Sequence, residues 1–147
     1  MEYEYSFKVN SLDKYIEYCE NNNYKKISNK YEKVIIFRNI NNTIARITFD
    51  NKNIYLDFKE DKLSGDVLIE RKETSKITVD NYENILKLLE FLGYKEDNTL
   101  ERNRTLYKKD NVIFELDSYI NPEIVYVVSI EGDKNNVDMI YTEVNNL

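Results

Sequence analysis

Glu2-Tyr3-Glu4-Tyr5-Ser6-Phe7-Lys8-Val9 alternates without a break: Glu2, Glu4, Ser6 and Lys8 on one face, Tyr3, Tyr5, Phe7 and Val9 on the other. A period of two sends successive side chains to opposite faces of an extended chain, so this stretch reads as a strand with one charged face. The same pattern recurs downstream. Ile54, Leu56 and Phe58 alternate with Tyr55, Asp57 and Lys59; Val112, Phe114 and Leu116 alternate with Ile113, Glu115 and Asp117. Arg46 and Thr48 share a face opposite Ala45, Ile47 and Phe49.

Between these strands lie two helical patterns. Ser11 reads as the N-cap of a helix to about Asn22, with Leu12, Tyr15, Ile16 and Cys19 as its apolar stripe. Asp80 reads as the cap of Asn81–Leu92, whose Ile85, Leu86, Leu88, Leu89 and Phe91 are expected to face a core, with Gly93 ending the helix. Strands are expected at Glu32–Arg38, Thr43–Phe49, Asn53–Glu60, Val67–Thr78, Glu101–Lys108, Asn111–Asp117 and Ile124–Glu131, and Val137–Val144 is a short helix or edge segment. With the opening strand this makes eight strands and an α+β class, antiparallel because short turns favour hairpins. Only three glycines and one proline occur, so the turns must rest on Asn and Asp, which tolerate the left-handed region. Periodicity leaves two arrangements open: a sheet with one solvated face, or a barrel that turns its charges inward.

Composition narrows the chemistry. The 147 residues suit one domain, 1–147, and 41% hydrophobic content is enough for a core. There is no histidine, which excludes Ser-His-Asp and Cys-His catalysis and the usual His-containing zinc sites. Any catalysis must run on carboxylates, Lys, Arg, Tyr or a hard cation held by oxygen. A net charge of −6 argues against binding of duplex nucleic acid. The single Cys19 allows no intramolecular disulfide, no run approaches the roughly 18 apolar residues of a membrane span, and the acidic N-terminus is unlike a signal peptide. A cytoplasmic protein is expected.

The order and types of these segments resemble the CYTH superfamily, the triphosphate tunnel metalloenzymes, which include class IV adenylate cyclases, thiamine triphosphatases and tripolyphosphatases. Glu2-x-Glu4 looks like the family's N-terminal Glu-x-Glu-x-Lys, with Ser6 in place of the lysine. Ile44-Ala45-Arg46-Ile47 looks like its arginine strand, with Thr48 where a second arginine often stands. Asn53 to Lys59, Arg71-Lys72-Glu73, Arg102-Asn103-Arg104, Val112 to Asp117 and Ser129-Ile130-Glu131-Gly132 follow in the family's order, with Ser129 replacing a glutamate. The match spans nearly the whole chain.

The resemblance implies a closed eight-stranded antiparallel β-barrel with flanking helices, a tunnel that binds a triphosphate-containing small molecule with Mg2+ or Mn2+. Such barrels can also pair as homodimers. Carried over by position, Arg46, Lys59, Arg71, Arg102 and Arg104 are expected to hold phosphate, with Lys8 reaching in from the same face as Ser6. Glu2, Glu4 and Glu131, with Asp117 and Glu73, are expected to hold the cation. A triphosphate carries about four negative charges, so its chemistry needs neutralisation and positioning more than a covalent nucleophile. The implied activity is hydrolysis of a triphosphate or cyclisation of a nucleoside triphosphate. Ser6, Thr48 and Ser129 leave a second expectation: a module of this fold that binds nucleotide or polyphosphate without turnover.

Overall fold

A computed structural model of the chain describes residues 2–64 and 68–147. Its elements run β1 (Glu2–Val9), α1 (Asp13–Asn21), β2 (Lys25–Arg38), β3 (Ile44–Phe49), β4 (Ile54–Leu63), β5 (Leu68–Glu73), β6 (Ile77–Thr78), α2 (Tyr82–Phe91), β7 (Lys95–Lys109), β8 (Val112–Asn121), β9 (Val125–Gly132) and α3 (Lys134–Val144). Eight strands close on themselves in the order β3-β2-β7-β8-β9-β1-β5-β4, and β4 pairs back to β3. Every pairing in the ring is antiparallel. Closure removes the unpaired sheet edges that would otherwise invite aggregation.

The expected barrel with flanking helices is thus present, and the alternation works as an inward and outward code. The aromatic face of β1 turns outward: Tyr3, Tyr5, Phe7 and Val9 pack beneath α1 and α3 with Tyr107, Phe114, Leu116, Val128 and Ile130. Tyr5 stacks on Tyr141 with ring centroids 4.0 Å apart and donates to Asp138 at 2.6 Å. A second cluster lies beneath α2, where Leu89 meets Ile35, Phe37, Ala45, Ile47 and Leu56. Both apolar cores therefore lie between helix and wall, which leaves the inside of the barrel to charge.

The turn chemistry follows the composition. Asn23, Asn42 and Asp110 adopt positive φ at 63°, 62° and 52°, and Gly93 ends α2 at 82°. Leu12, not Ser11, is the N-cap of α1 and carries no side-chain cap; Ser11 stands one residue earlier, its Oγ accepting from the Asp13 amide at 3.2 Å.

Several expectations need correction. Asn81, not Asp80, caps α2, its side chain accepting from the Asn84 amide. Leu88 and Phe91 do not face a core; Phe91 is 90% exposed, because Ile85, Leu86 and Leu89 form the stripe that meets the wall. The expected strand Val67–Thr78 is two pieces, β5 and β6, lying end to end along β4, and Val67 is outside the described residues. At the break the Thr74 side chain and amide bond the backbone of Phe58 in place of a continuous ladder. The tail is a helix, capped by Asp133. β2 and β7 are longer than the hydrophobic pattern suggests, since their far ends pair with each other outside the apolar stretch.

These placements give opposite expectations for two phenylalanines. Phe114→Ala, at a fully buried position, is expected to destabilise by about 3–5 kcal/mol in urea unfolding. Phe91→Ser should change stability by no more than about 0.5 kcal/mol; a loss comparable to that at Phe114 would contradict the assignment of the α2 face.

Candidate functional site

The inward faces enclose a cavity of about 390 Å3, lined by six carboxylates and six cations together with Ser6, Thr48, Thr74, Ser75, Tyr119, Val127 and Ser129. The acids are Glu4, Asp57, Glu73, Glu115, Asp117 and Glu131; the bases are Arg46, Lys59, Arg71, Lys76, Arg102 and Arg104. Seven strands contribute to this lining, so the site exists only once the ring has closed. Among the described residues, every buried side-chain nitrogen or oxygen has a hydrogen-bond partner. Burying charge is tolerable only on such terms.

Strand register explains how the partners meet. Arg46 stands directly opposite Asp57, Arg71 opposite Asp61, Arg104 opposite Asp117 and Arg102 opposite Glu32. In three of these pairs the carboxylate takes the same edge of the guanidinium. Nε and Nη2 of Arg104 donate to Asp117 at 2.8 and 2.9 Å, and the same two atoms of Arg71 donate to Asp61 at 2.8 and 3.3 Å. Arg46 holds both oxygens of Asp57 in the same way. Arg102 is anchored by Glu32 at 3.0–3.1 Å and donates to the Tyr119 hydroxyl at 3.3 Å.

A second set of carboxylates meets the other end of these forks. Arg71 reaches Glu4 at 2.8 Å and Glu131 at 3.5 Å, Arg104 reaches Glu115 at 2.9 Å, and Arg46 reaches Glu73 at 3.2 Å. Lys59 pairs with Asp61 at 3.1 Å. Burial and the neighbouring Arg71 and Arg46 charges push the Lys59 ammonium below its ordinary range.

Glu4, Glu115 and Glu131 converge, with one oxygen from each lying within 4.8 Å of the others. Glu4 faces Glu131 across the β1–β9 ladder. Three carboxylates at this spacing cannot all ionise in a poorly solvated interior. Burial, then the charges of Glu115 and Glu4, push the Glu131 carboxyl up to about 11. Burial also raises Glu115, but the Arg104 guanidinium and a hydrogen bond from Glu131 outweigh it and hold that carboxyl at about 2. Crowding thus favours one proton shared within the trio, most readily on Glu131. The trio's all-oxygen donor set fits a hard divalent cation, which would take the place of that proton.

Of the residues singled out for phosphate, Arg46, Lys59, Arg71, Arg102 and Arg104 all line the cavity. Lys8 does not: its side chain is 73% exposed and lies 3.9 Å from Glu123 on the surface. Of those singled out for metal, Glu4 and Glu131 are in the convergent trio, while Asp117 and Glu73 are occupied with Arg104 and Arg46. Glu2 lies outside the cavity lining and is largely exposed, where partial desolvation and the neighbouring Glu73 raise its carboxyl. Sequence reasoning missed Glu115 as a member of the trio, although its place on the polar face of β8 was visible. It also missed Asp57, Asp61 and Glu32, and the Thr74–Lys76 break at the cavity wall.

No family model matches the chain. A Methanocaldococcus jannaschii protein, described as a candidate adenylate cyclase, is 23% identical over 123 residues, covering 80% of this chain and 69% of the relative. Among solved structures, the PH1012 protein of Pyrococcus horikoshii superposes with a TM-score of 0.80 at 22% identity, over 99% of this chain and 88% of that one. A candidate adenylyl cyclase from Hippeastrum, reported to have a dominant triphosphatase activity, gives a TM-score of 0.68 at 15% identity, over 97% of this chain and 85% of that one. At these identities the structural likeness establishes a shared fold.

The crowding of the trio has a measurable consequence without any metal. A carboxyl whose folded-state pKa is raised stabilises fully below its unfolded value and loses that contribution as pH rises toward the folded value. Glu131→Gln removes this loss while keeping a hydrogen-bond donor. In EDTA, the variant is expected to exceed the wild type in stability above about pH 5, the gap widening by at most about 1.4 kcal/mol per pH unit. Urea titrations between pH 5 and 9 read this directly; a constant or reversed gap contradicts the shared-proton picture.

Proposed function

The chain carries the fold of the CYTH, or triphosphate tunnel, superfamily, and on that premise we propose that it is a divalent-cation-dependent enzyme acting on a triphosphate held in the barrel. The observation that carries this reading is the meeting, in one cavity, of several guanidinium forks with the Glu4–Glu115–Glu131 trio. Guanidinium forks suit the bidentate geometry of phosphate oxygens, and Lys59 adds a point charge. Arg46, Arg71, Arg102 and Arg104 line the chain of phosphoryl groups and hold it straight for in-line displacement. Glu4, Glu115 and Glu131 would hold Mg2+ or Mn2+, which would supply charge neutralisation and Lewis acidity there. Arg71, Glu4 and Asp117 are almost wholly buried in the wall, so their contacts are weakly screened.

A second reading rests on a specific observation. Ser6 and Ser129, which stand where the resembled family has Lys and Glu, lie opposite each other across β1 and β9 and hydrogen-bond at 3.1 Å. With both charges absent from the middle of the tunnel, a module that binds polyphosphate or nucleotide without turnover is the alternative.

One set of assays separates them. Purified protein is incubated with Mg2+ or Mn2+ and tripolyphosphate, thiamine triphosphate or ATP, and phosphate, pyrophosphate and cyclic nucleotide are measured. The proposal expects turnover of at least one substrate, abolished by EDTA. Arg104→Lys, which keeps the charge but loses the fork, should lower kcat/KM by about 10- to 100-fold. Folded protein that is thermally stabilised by tripolyphosphate yet forms no product supports the binding module instead.

A further inference from the structure

The two sets of carboxylates around the arginines are not equivalent. Asp117 and Asp61 each take the Nε–Nη2 edge of a guanidinium from the directly opposed position on the neighbouring strand. Glu115, Glu4 and Glu131 approach the outer end of the same groups, and they are also the three carboxylates that converge on one another. Edge partners are fixed by strand register. End partners are shared between two tasks that cannot be performed at full strength together.

We propose that a cation held by Glu4, Glu115 and Glu131 draws these carboxylates away from the outer ends of Arg71 and Arg104 and so makes both guanidiniums available to phosphate, with Asp61 and Asp117 remaining behind as positioning residues. Cation and anion then bind with positive coupling, and the arginines exchange one anionic partner for another without leaving their places. The inference rests on the functional reading above.

The physical argument is one of satisfaction. Arg71 has Nε, Nη1 and Nη2 all engaged with carboxylate oxygen, so a phosphate arriving alone must displace a carboxylate. The displaced carboxylate would be left in a cluster where the oxygens of Glu4, Glu115 and Glu131 already lie within 4.8 Å of one another. A charge abandoned in the interior is strongly unfavourable. A divalent cation removes that obstacle by becoming the new partner of Glu4, Glu115 and Glu131. The edge partners are not released in this exchange, because they belong to the ladder pairs Arg104–Asp117 and Arg71–Asp61 and lie outside the trio.

The test uses the whole chain, inorganic tripolyphosphate and Mn2+, and reads affinity by calorimetry rather than turnover. Glu115→Gln and Asp117→Asn each remove one negative charge beside Arg104, so a general electrostatic effect on anion binding is nearly the same for both. In EDTA, Glu115→Gln is expected to bind tripolyphosphate about 5- to 50-fold more tightly than wild type, while Asp117→Asn binds no more tightly. With saturating Mn2+ the first order reverses, wild type binding more tightly than Glu115→Gln, which has lost a cation ligand. Should Asp117→Asn not fold, the pair Glu4→Gln and Asp61→Asn asks the same question at Arg71. Equal tightening by the end and edge variants, or no tightening by the end variant, overturns the exchange while leaving the functional reading intact. Wild type that binds no tripolyphosphate with or without Mn2+ overturns both.

Discussion

A guanidinium buried without an anion beside it is intolerable, and that constraint organises this protein. Arg46, Arg71, Arg102 and Arg104 all point into the barrel, and each finds a carboxylate directly across the ladder. Three of the pairs join consecutive strands 10 to 13 residues apart, and the fourth, Arg102 with Glu32, spans 70 residues. Strand register and charge pairing are therefore the same fact. A slip by one residue would put the whole charged set into the outer apolar layers and the apolar set into the tunnel.

This inversion also accounts for the helices. A barrel whose interior is charged cannot draw its stability from a central apolar core, so the hydrophobic faces turn outward and need covering. α1 and α3 cover one side of the ring and α2 the other, each with its own buried cluster. The tunnel is thus held by two cores outside it, and its side chains are free to be chosen for chemistry. What they form is a lattice of opposite charges with one built-in excess, at Glu4, Glu115 and Glu131, where like charges crowd.

Strict alternation made the inward and outward faces of β1, β4 and β8 legible in the sequence, and the Asn and Asp turns were legible from the scarcity of glycine. The order of charged segments carried most of the cavity's basic residues. Ring closure was not legible, because it depends on the pairings of distant strands, β1 with β5 and β9 and β2 with β7. Glu115 shows the limit. Its polar face was evident, but only the approach of β8 to β9 and of β9 to β1 places it beside Glu131 and Glu4. Lys8 shows the converse: it shares the face of Glu4, yet β1 has carried it out of the cavity to a surface contact with Glu123. On α2, residue type alone does not decide which of two apolar stripes meets the wall, and Leu88 and Phe91 fit an inward face by type although they face out.

The central claim is that a triphosphate and a cation share this one cavity, with the arginines and the carboxylate trio dividing the work. A crystal structure of the protein soaked with tripolyphosphate and Mn2+ tests it most directly. The account predicts the metal between Glu4, Glu115 and Glu131, phosphate oxygens on the outer ends of Arg71 and Arg104, and Asp61 and Asp117 still on their inner edges. Anion bound on the outer surface, or both ligands absent from a tunnel whose arginines keep all their carboxylate partners, would contradict it.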